Sequence, residues 1–275
     1  MTFDNLAIER DGGVAVLWLD RPEKLNAMHR ALWNSIPQAV ASLDADDSVR
    51  AIVLAGKGKA FCAGIDLMDH ARGFAAGSLS GRGESAVGKR RALYDDIRRY
   101  QETVSSLANT NKPVIAAVHG ACIGAGMDLI TACDIRVTSA EAVFSVRETR
   151  IAMVADVGTL QRLTRIVGDG AARELIFTGR DIDAARAKDI GLVNAVLPDA
   201  AACIARARAI AGEIAANSPL AVQGSKQVLG FAERRAIDAN LDYVALWNSA
   251  FLQSDDLAEA MTAFVQRRPP QFKGQ

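Results

Sequence analysis

Short apolar runs recur along the first part of the chain, separated by longer mixed segments. Val14–Leu19 (VAVLWL), Ala51–Gly56 (AIVLAG) and Pro113–Val118 (PVIAAV) are apolar on both faces, the pattern of strands buried inside a sheet. Ile135–Thr138 and Ala142–Ser145 predict two further short strands. After the turn Asp20-Arg21-Pro22, Met28, Leu32, Ile36, Ala39, Val40 and Leu43 recur at three- and four-residue steps, an amphipathic helix with one stripe turned inward. Helices follow at Ala171–Thr178 and Asp183–Ile190, the second with Asp183 as N-cap and Gly191 as its stop. From about Ala200 the pattern is helical throughout. Ser218-Pro219 reads as an N-cap followed by proline at the first helical position. Ile237, Leu241, Val244, Trp247 and Phe251 then form a stripe, and Ser254 with Asp255 and Asp256 opens a last helix carrying Leu257, Met261 and Phe264. The pattern predicts an α/β core over residues 1–199 and a helical region over 200–275. The apolar surplus of that region predicts subunit contacts.

The strand at Pro113–Val118 leads into His119–Leu129, HGACIGAGMDL. Gly120, Gly124 and Gly126 let backbone N–H groups approach a ligand, and Asp128 sits one turn into whatever helix follows. The strand at Ala51–Gly56 leads in the same way to Phe61–Leu67, FCAGIDL. Ala63-Gly64-Ile65-Asp66-Leu67 and Ala125-Gly126-Met127-Asp128-Leu129 share one pattern, Ala-Gly-x-Asp-Leu. Either turn alone is a simple connection; two in one chain suggest backbone donors converging on one oxygen. Such a donor is worth about 2.7–4 kcal/mol of transition-state stabilisation. Residues Asp69–Arg91, rich in glycine and serine, read as a long loop, either a lid or an insertion without function. Lys89, Arg90, Arg91, Arg98 and Arg99 alternate with Asp95, Asp96 and Glu102 as one solvated helix face.

Composition narrows the chemistry. The 275 residues are half hydrophobic, and 32 basic residues balance 32 acidic ones. A net charge of zero argues against a protein that binds nucleic acid by neutralising phosphates. The four cysteines form no CxxC pair and the three histidines form no ligand cluster, so no metal is expected. Gly124-x-Gly126 lacks the third glycine of a dinucleotide fingerprint, and neither a phosphate loop nor a GxSxG elbow occurs. No apolar run is long enough to span a membrane, and neither end carries a recognisable address, so a cytoplasmic location is expected.

What remains is a pair of candidate oxyanion donors and three acids: Asp128, Glu148 and Asp156. Asp156 is lodged in the apolar run Ile151–Gly158, where an acid is costly unless it is paired or used; capping a helix that starts near Thr159 is the other reading. Three carboxylates in one apolar pocket cannot all ionise cheaply, so at least one holds a proton at neutral pH. One acid and one base beside an enolate site suit an allylic rearrangement.

These segments carry a resemblance. DRPEKLNAM (20–28), GKAFCAGIDL (58–67), KPVIAAVHGACIGAGMDL (112–129) and GTLQRL (158–163) are similar to the enoyl-CoA hydratase/isomerase (crotonase) family over nearly the whole chain. The resemblance implies an α/β spiral of repeated ββα units with a C-terminal helical region that builds trimers, commonly paired into hexamers. It implies an acyl-CoA thioester as substrate, with no separate cofactor because coenzyme A is part of that substrate. The backbone N–H groups of Ile65 and Ala125 would hold the thioester oxygen; the second position is usually glycine in the family. Ala63, Gly64, Asp66 and Gly124 would contact the substrate. A typical hydratase has glutamates at positions 128 and 148 and glycine at 156. The set Asp128, Glu148, Asp156 instead resembles members that convert 3,5-dienoyl-CoA to 2,4-dienoyl-CoA in fatty acid β-oxidation. There Glu148 and Asp156 would transfer the proton and Asp128 would tune them. The alternatives are a 2-enoyl-CoA hydratase and, from another class, an RNA-binding relative, which the scarcity of basic residues in the first helix disfavours.

Overall fold

A computed structural model describes residues 3–70 and 85–275. The loop expected at Asp69–Arg91 lies largely outside the described residues. Strands β1 (Leu6–Asp11), β2 (Val14–Leu19), β3 (Ala51–Gly56), β4 (Val114–Val118), β6 (Ile135–Ser139) and β9 (Ala195–Leu197) form one sheet in the order β1-β2-β3-β4-β6-β9. β1 is antiparallel to β2, and every later pairing in this sheet is parallel. A second sheet, β5 (Ala121–Ile123), β7 (Val143–Ser145) and β8 (Asp181–Asp183), stands beyond the ends of β4 and β6. The repeated strand–strand–helix units wind as a spiral, and parallel neighbours require the crossovers that the helices supply.

Alternation along each buried strand divides the core. Ile52 and Leu54 of β3 join Leu17, Ala116 and Val118 on one face; Ala51, Val53 and Ala55 join Val16, Ile115 and Ala117 on the other. The first face is covered by α1 (Arg30–Asp44) and α2 (Ala86–Asn109), through Leu32, Ile36, Leu43, Ile97 and Val104. The second is covered by α7 (Ala200–Ala215), through Cys203, Ala207 and Ala211. Burying each large aliphatic side chain contributes about 1.5–3 kcal/mol, which makes these two layers the main adhesive of the fold.

Several local expectations change in the structure. The helix read from Met28 begins at Arg30, and Met28 instead pairs in extended form with Ile65. The chain is helical from Ala200 onward; α7 packs on the sheet, and α8 (Pro219–Phe251) and α9 (Asp255–Gln266) follow it. Ser218 does precede a proline at the start of α8, but its side chain makes no capping bond. Asp183 does cap α6 (Ala184–Asp189), accepting from the Arg186 N–H at 2.8 Å. Asp156 does not cap α4 (Thr159–Val167): Gly158 takes that position with φ +144°.

α8 docks on α2, burying Leu241, Val244, Ala245 and Asn248, and Tyr94 donates to Asp242 at 2.5 Å. Elsewhere on α8 Leu229, Phe231, Tyr243 and Trp247 are exposed. Among the described residues no helix is long and apolar enough to cross a membrane, and no cluster of His, Cys, Asp and Glu could hold a metal.

Candidate active site

The two glycine turns lie side by side. Cys62 donates its N–H to Ala121 O at 2.9 Å and Ile123 donates to Cys62 O at 3.0 Å, so segments 62–65 and 122–125 run parallel. On its other edge the first segment binds Met28: the Met28 N–H reaches Gly64 O at 2.7 Å, and the Asp66 N–H reaches Met28 O at 3.0 Å. Extended backbone alternates its amide directions, so the intervening Ile65 N–H points away from Met28. Ala125 opens α3 (Ala125–Thr131), where the first amides have no intrahelical acceptor. Neither N–H donates to an acceptor among the described residues. Glycine is required at both bends: Gly64 has φ +101° and Gly124 has φ +50°.

Both residues border a cleft of about 260 Å³. Ala63, Gly64, Ile65, Gly124, Ala125, Asp128, Glu148 and Asp156 all line it. Asp66 does not. Its carboxylate is held at 2.7 Å by Arg21 and accepts the N–H groups of Met68 and Asp69, which opens the helical turn after Leu67. The structure thus places Asp66 beside the cleft lining rather than in it, and against partial burial the Arg21 contact keeps its pKa below the ordinary value.

The three acids occupy different settings. Asp128, on α3, is buried, and its Oδ1 accepts the Thr159 N–H at 2.7 Å and the Thr159 hydroxyl at 2.6 Å. It thus holds the first turn of α4, the role that Asp156 could have filled. Burial raises its pKa to about 6, against the lowering effects of Thr159 and of the Arg162 guanidinium. Glu148 opens a 3-10 turn, Glu148–Ile151. Its Oε2 is sealed from solvent with no hydrogen-bond partner among the described residues. Burial first, then the charge of Asp128, raises this carboxyl to about 8. Gly124 makes room for it: a β-carbon there would stand 3.2 Å from Glu148 Oε1. Asp156 accepts from Asn248 Nδ2 at 2.7 Å, and burial followed by Asp128 raises it to about 7 against that bond.

Several contributors escape a reading of the chain alone. Trp33 and Tyr100 stack at 4.7 Å on the cleft wall. Buried Arg162 donates to Ser105 while its Nη1 has no partner among the described residues. The buried amides Gln101 and Asn248 grip the Asp156 loop. Asn248 leaves one trace: it is a polar residue at helical spacing from Leu241, Val244 and Ala245. The thiols offer no nucleophile beside the turns, because burial pushes Cys62 up to about 12 and Cys122 well above its ordinary value.

The α/β spiral thus carries a cleft that is bordered by both turns, walled by apolar side chains and lined by three acids raised by burial. The family model for enoyl-CoA hydratase/isomerase matches residues 9–275, and the chain belongs to that family of enzymes. It is 44% identical over 273 residues to a peroxisomal Δ(3,5)-Δ(2,4)-dienoyl-CoA isomerase of Arabidopsis thaliana, covering 98% of this chain and 96% of that one. A mitochondrial protein of the same name from Dictyostelium discoideum is 44% identical over 261 residues, 94% and 87% of the two chains. The crystal structure of carnitinyl-CoA hydratase from Mycobacterium avium superposes over the full length of both chains with a TM-score of 0.85 at 30% identity.

Proposed function

We propose that this chain is an acyl-CoA isomerase converting 3,5-dienoyl-CoA to 2,4-dienoyl-CoA. The observation that carries the reading is the third acid: Asp156 lines the same cleft as Glu148 and Asp128. The relatives of that name support it. In this reading the thioester oxygen sits on the N–H groups of Ile65 and Ala125. Gly124 brings Glu148 beside that oxygen site, which favours Glu148 at C2, the carbon bonded to the thioester carbonyl. Glu148 takes a C2 proton, the electron pair spreads along the diene as a dienolate, and Asp156 delivers a proton to C6. Burial and the charge of Asp128 raise both carboxyls into the same range, so passing a proton through the substrate from one to the other is close to thermoneutral. Asp128, tied to Thr159, supplies a fixed charge rather than a relay.

The test is a parallel assay on 3,5-dienoyl-CoA and crotonyl-CoA. Conjugating the diene to the thioester raises ultraviolet absorbance, whereas hydrating crotonyl-CoA removes it. Faster turnover of crotonyl-CoA makes the chain a hydratase and overturns the reading. Asp156→Asn is expected to lower isomerisation about 10²-fold or more. The same reading includes a role in β-oxidation, a trimer or hexamer built through α8 and α9, and a cytoplasmic location. The mitochondrial and peroxisomal locations belong to the relatives' names, and cell fractionation decides for this chain.

A further inference from the structure

The Asp156 loop is held by two buried amides from separate helices. Asn248, on α8, spends both hydrogens of its side-chain amide on that loop, one on Val154 O at 2.9 Å and one on Asp156 Oδ2 at 2.7 Å. Gln101, on α2, donates to Asp156 O at 2.7 Å and to Leu241 O at 2.8 Å, while its own oxygen accepts from Arg98. Each amide is 2% exposed. Asp156 Oδ1 receives no hydrogen bond from another of the described residues, and the residue lines the cleft. The two oxygens of one carboxyl are thereby made unequal.

We propose that Asn248, seconded by Gln101, is a positioning residue for proton delivery: it occupies Oδ2 so that Oδ1 alone exchanges a proton with the acyl chain, and it stabilises the carboxylate left behind. This rests on the isomerase reading. In the step concerned, the Asp156 Oδ1–H bond breaks and a C6–H bond forms with the electron pair of the dienolate. The C2 proton has already passed to the Glu148 carboxylate, so no oxidant or reductant is involved, and exchange with solvent resets both acids after release. The titratable and charged groups around Asp156 are Asp128 on α3 and Glu148 on its 3-10 turn, with Arg162 on α4 behind Asp128 and Arg98 of α2 held by Gln101. Among the contacts to Asp156, the Asn248 donor opposes the upward push of burial and of Asp128. Removing it therefore moves Asp156 toward higher pH.

The test uses purified Asn248→Leu, similar in size but without a donor, and Asn248→Asp, the same shape with a charge in place of the donor. Steady-state isomerisation is followed across pH, together with exchange of the C2 hydrogen in deuterated water. The expected result for Asn248→Leu is a kcat lower by about 10- to 100-fold, the scale of one lost hydrogen bond to a charged group. KM should stay within about threefold and the pH optimum should rise. Exchange at C2 should persist, because Glu148 is untouched. Asn248→Asp should shift the optimum further. An unmoved optimum, with isomerisation and exchange falling in step, overturns the proposal and leaves Asn248 a purely structural residue. If Asn248→Leu does not fold, Asn248→Asp decides by the same criteria. Asp156→Asn separates the layers: if it keeps full turnover, the isomerase reading itself fails; if it is inactive while the Asn248 variants match the wild type, only the present inference fails.

Discussion

Gly124→Ala perturbs the place where the oxyanion turn and Glu148 meet. The residue has φ +50° and ψ −111°, a region that an L side chain occupies at a cost of about 1–3 kcal/mol. The added β-carbon would stand 3.2 Å from Glu148 Oε1 and 3.8 Å from its Cδ. Ordinary contact begins near 3.4 Å, so the carboxyl must withdraw by a few tenths of an ångström while the Ala125 N–H is pulled by the strained turn. A misplacement of about 1 Å costs on the order of 10²-fold in rate, and a weakened oxyanion donor adds to the smaller shift here, which sets the expected loss in kcat/KM at about 10- to 100-fold. Melting should fall by several degrees, at about 2–4 °C per kcal/mol for a chain near this size.

Gly126→Ala is the matched control. Gly126 is helical, and its β-carbon would stand 2.9 Å from the backbone oxygen of Cys62, which cannot swing away. That variant should lose stability with Glu148 in place. The assay is diene conjugation by absorbance, C2 exchange in deuterated water, and thermal melting on both proteins. Gly124→Ala should lose C2 exchange out of proportion to its lost stability. Wild-type exchange in Gly124→Ala, or the same ratio of activity loss to stability loss in both variants, would refute the placement of Glu148 beside the oxyanion turn.

Three further outcomes are expected. The pH profile of kcat/KM should be a narrow bell with flanks near 7 and 8, the values of the Asp156–Glu148 pair, and Asp128→Asn should move both flanks down because the charge of Asp128 raises both acids; flanks near 4 to 5 contradict this. For Asp128 itself the folded value of about 6 exceeds the ordinary 3.8, so the folded state binds its proton more tightly and stability falls as pH rises through that window, by about 3 kcal/mol; denaturant melts should show that component in the wild type and not in Asp128→Asn. Asp66→Ala should lower the melting temperature by breaking the Arg21 contact while shifting the KM for acyl-CoA less than about threefold, and a large KM effect would show a substrate contact instead.

How much of this was legible depended on how local each cause was. β2, β3 and β4 were legible because strands buried on both faces must be apolar throughout, and Gly64 and Gly124 because positive φ leaves few alternatives to glycine. The pair of turns followed from the shared Ala-Gly-x-Asp-Leu pattern, whereas Ile65 and Ala125 as donors followed from the family resemblance. The partition of labour among the acids did not. Asp128 finds Thr159 thirty-one positions along the chain, and no spacing rule reveals that an acid in α3 will cap α4. Asp66 copies the Ala-Gly-x-Asp-Leu setting of Asp128 and yet turns to Arg21, whose approach depends on the fold of the Asp20–Pro22 turn. Asn248 sits among apolar neighbours on α8, and its partners Val154 and Asp156 lie 94 and 92 positions away along the chain.

The arrangement also explains why a third acid should serve the proposed reaction at all. Two carboxyls alone in an apolar cleft would share a proton over a window fixed by burial and by each other. Asp128 cannot join that exchange cheaply while Thr159 supplies two donors to one of its oxygens and Arg162 faces it, so it stays the most acidic of the three. Held as an anion, it raises both neighbours and keeps one proton on the pair near neutral pH. The donor from Asn248 opposes that rise on Asp156, a counterweight that Glu148, whose Oε2 has no partner among the described residues, lacks. In the proposed reaction Glu148 must enter as the anion and Asp156 as the acid, so turnover draws on the form of the pair whose proton rests on Asp156.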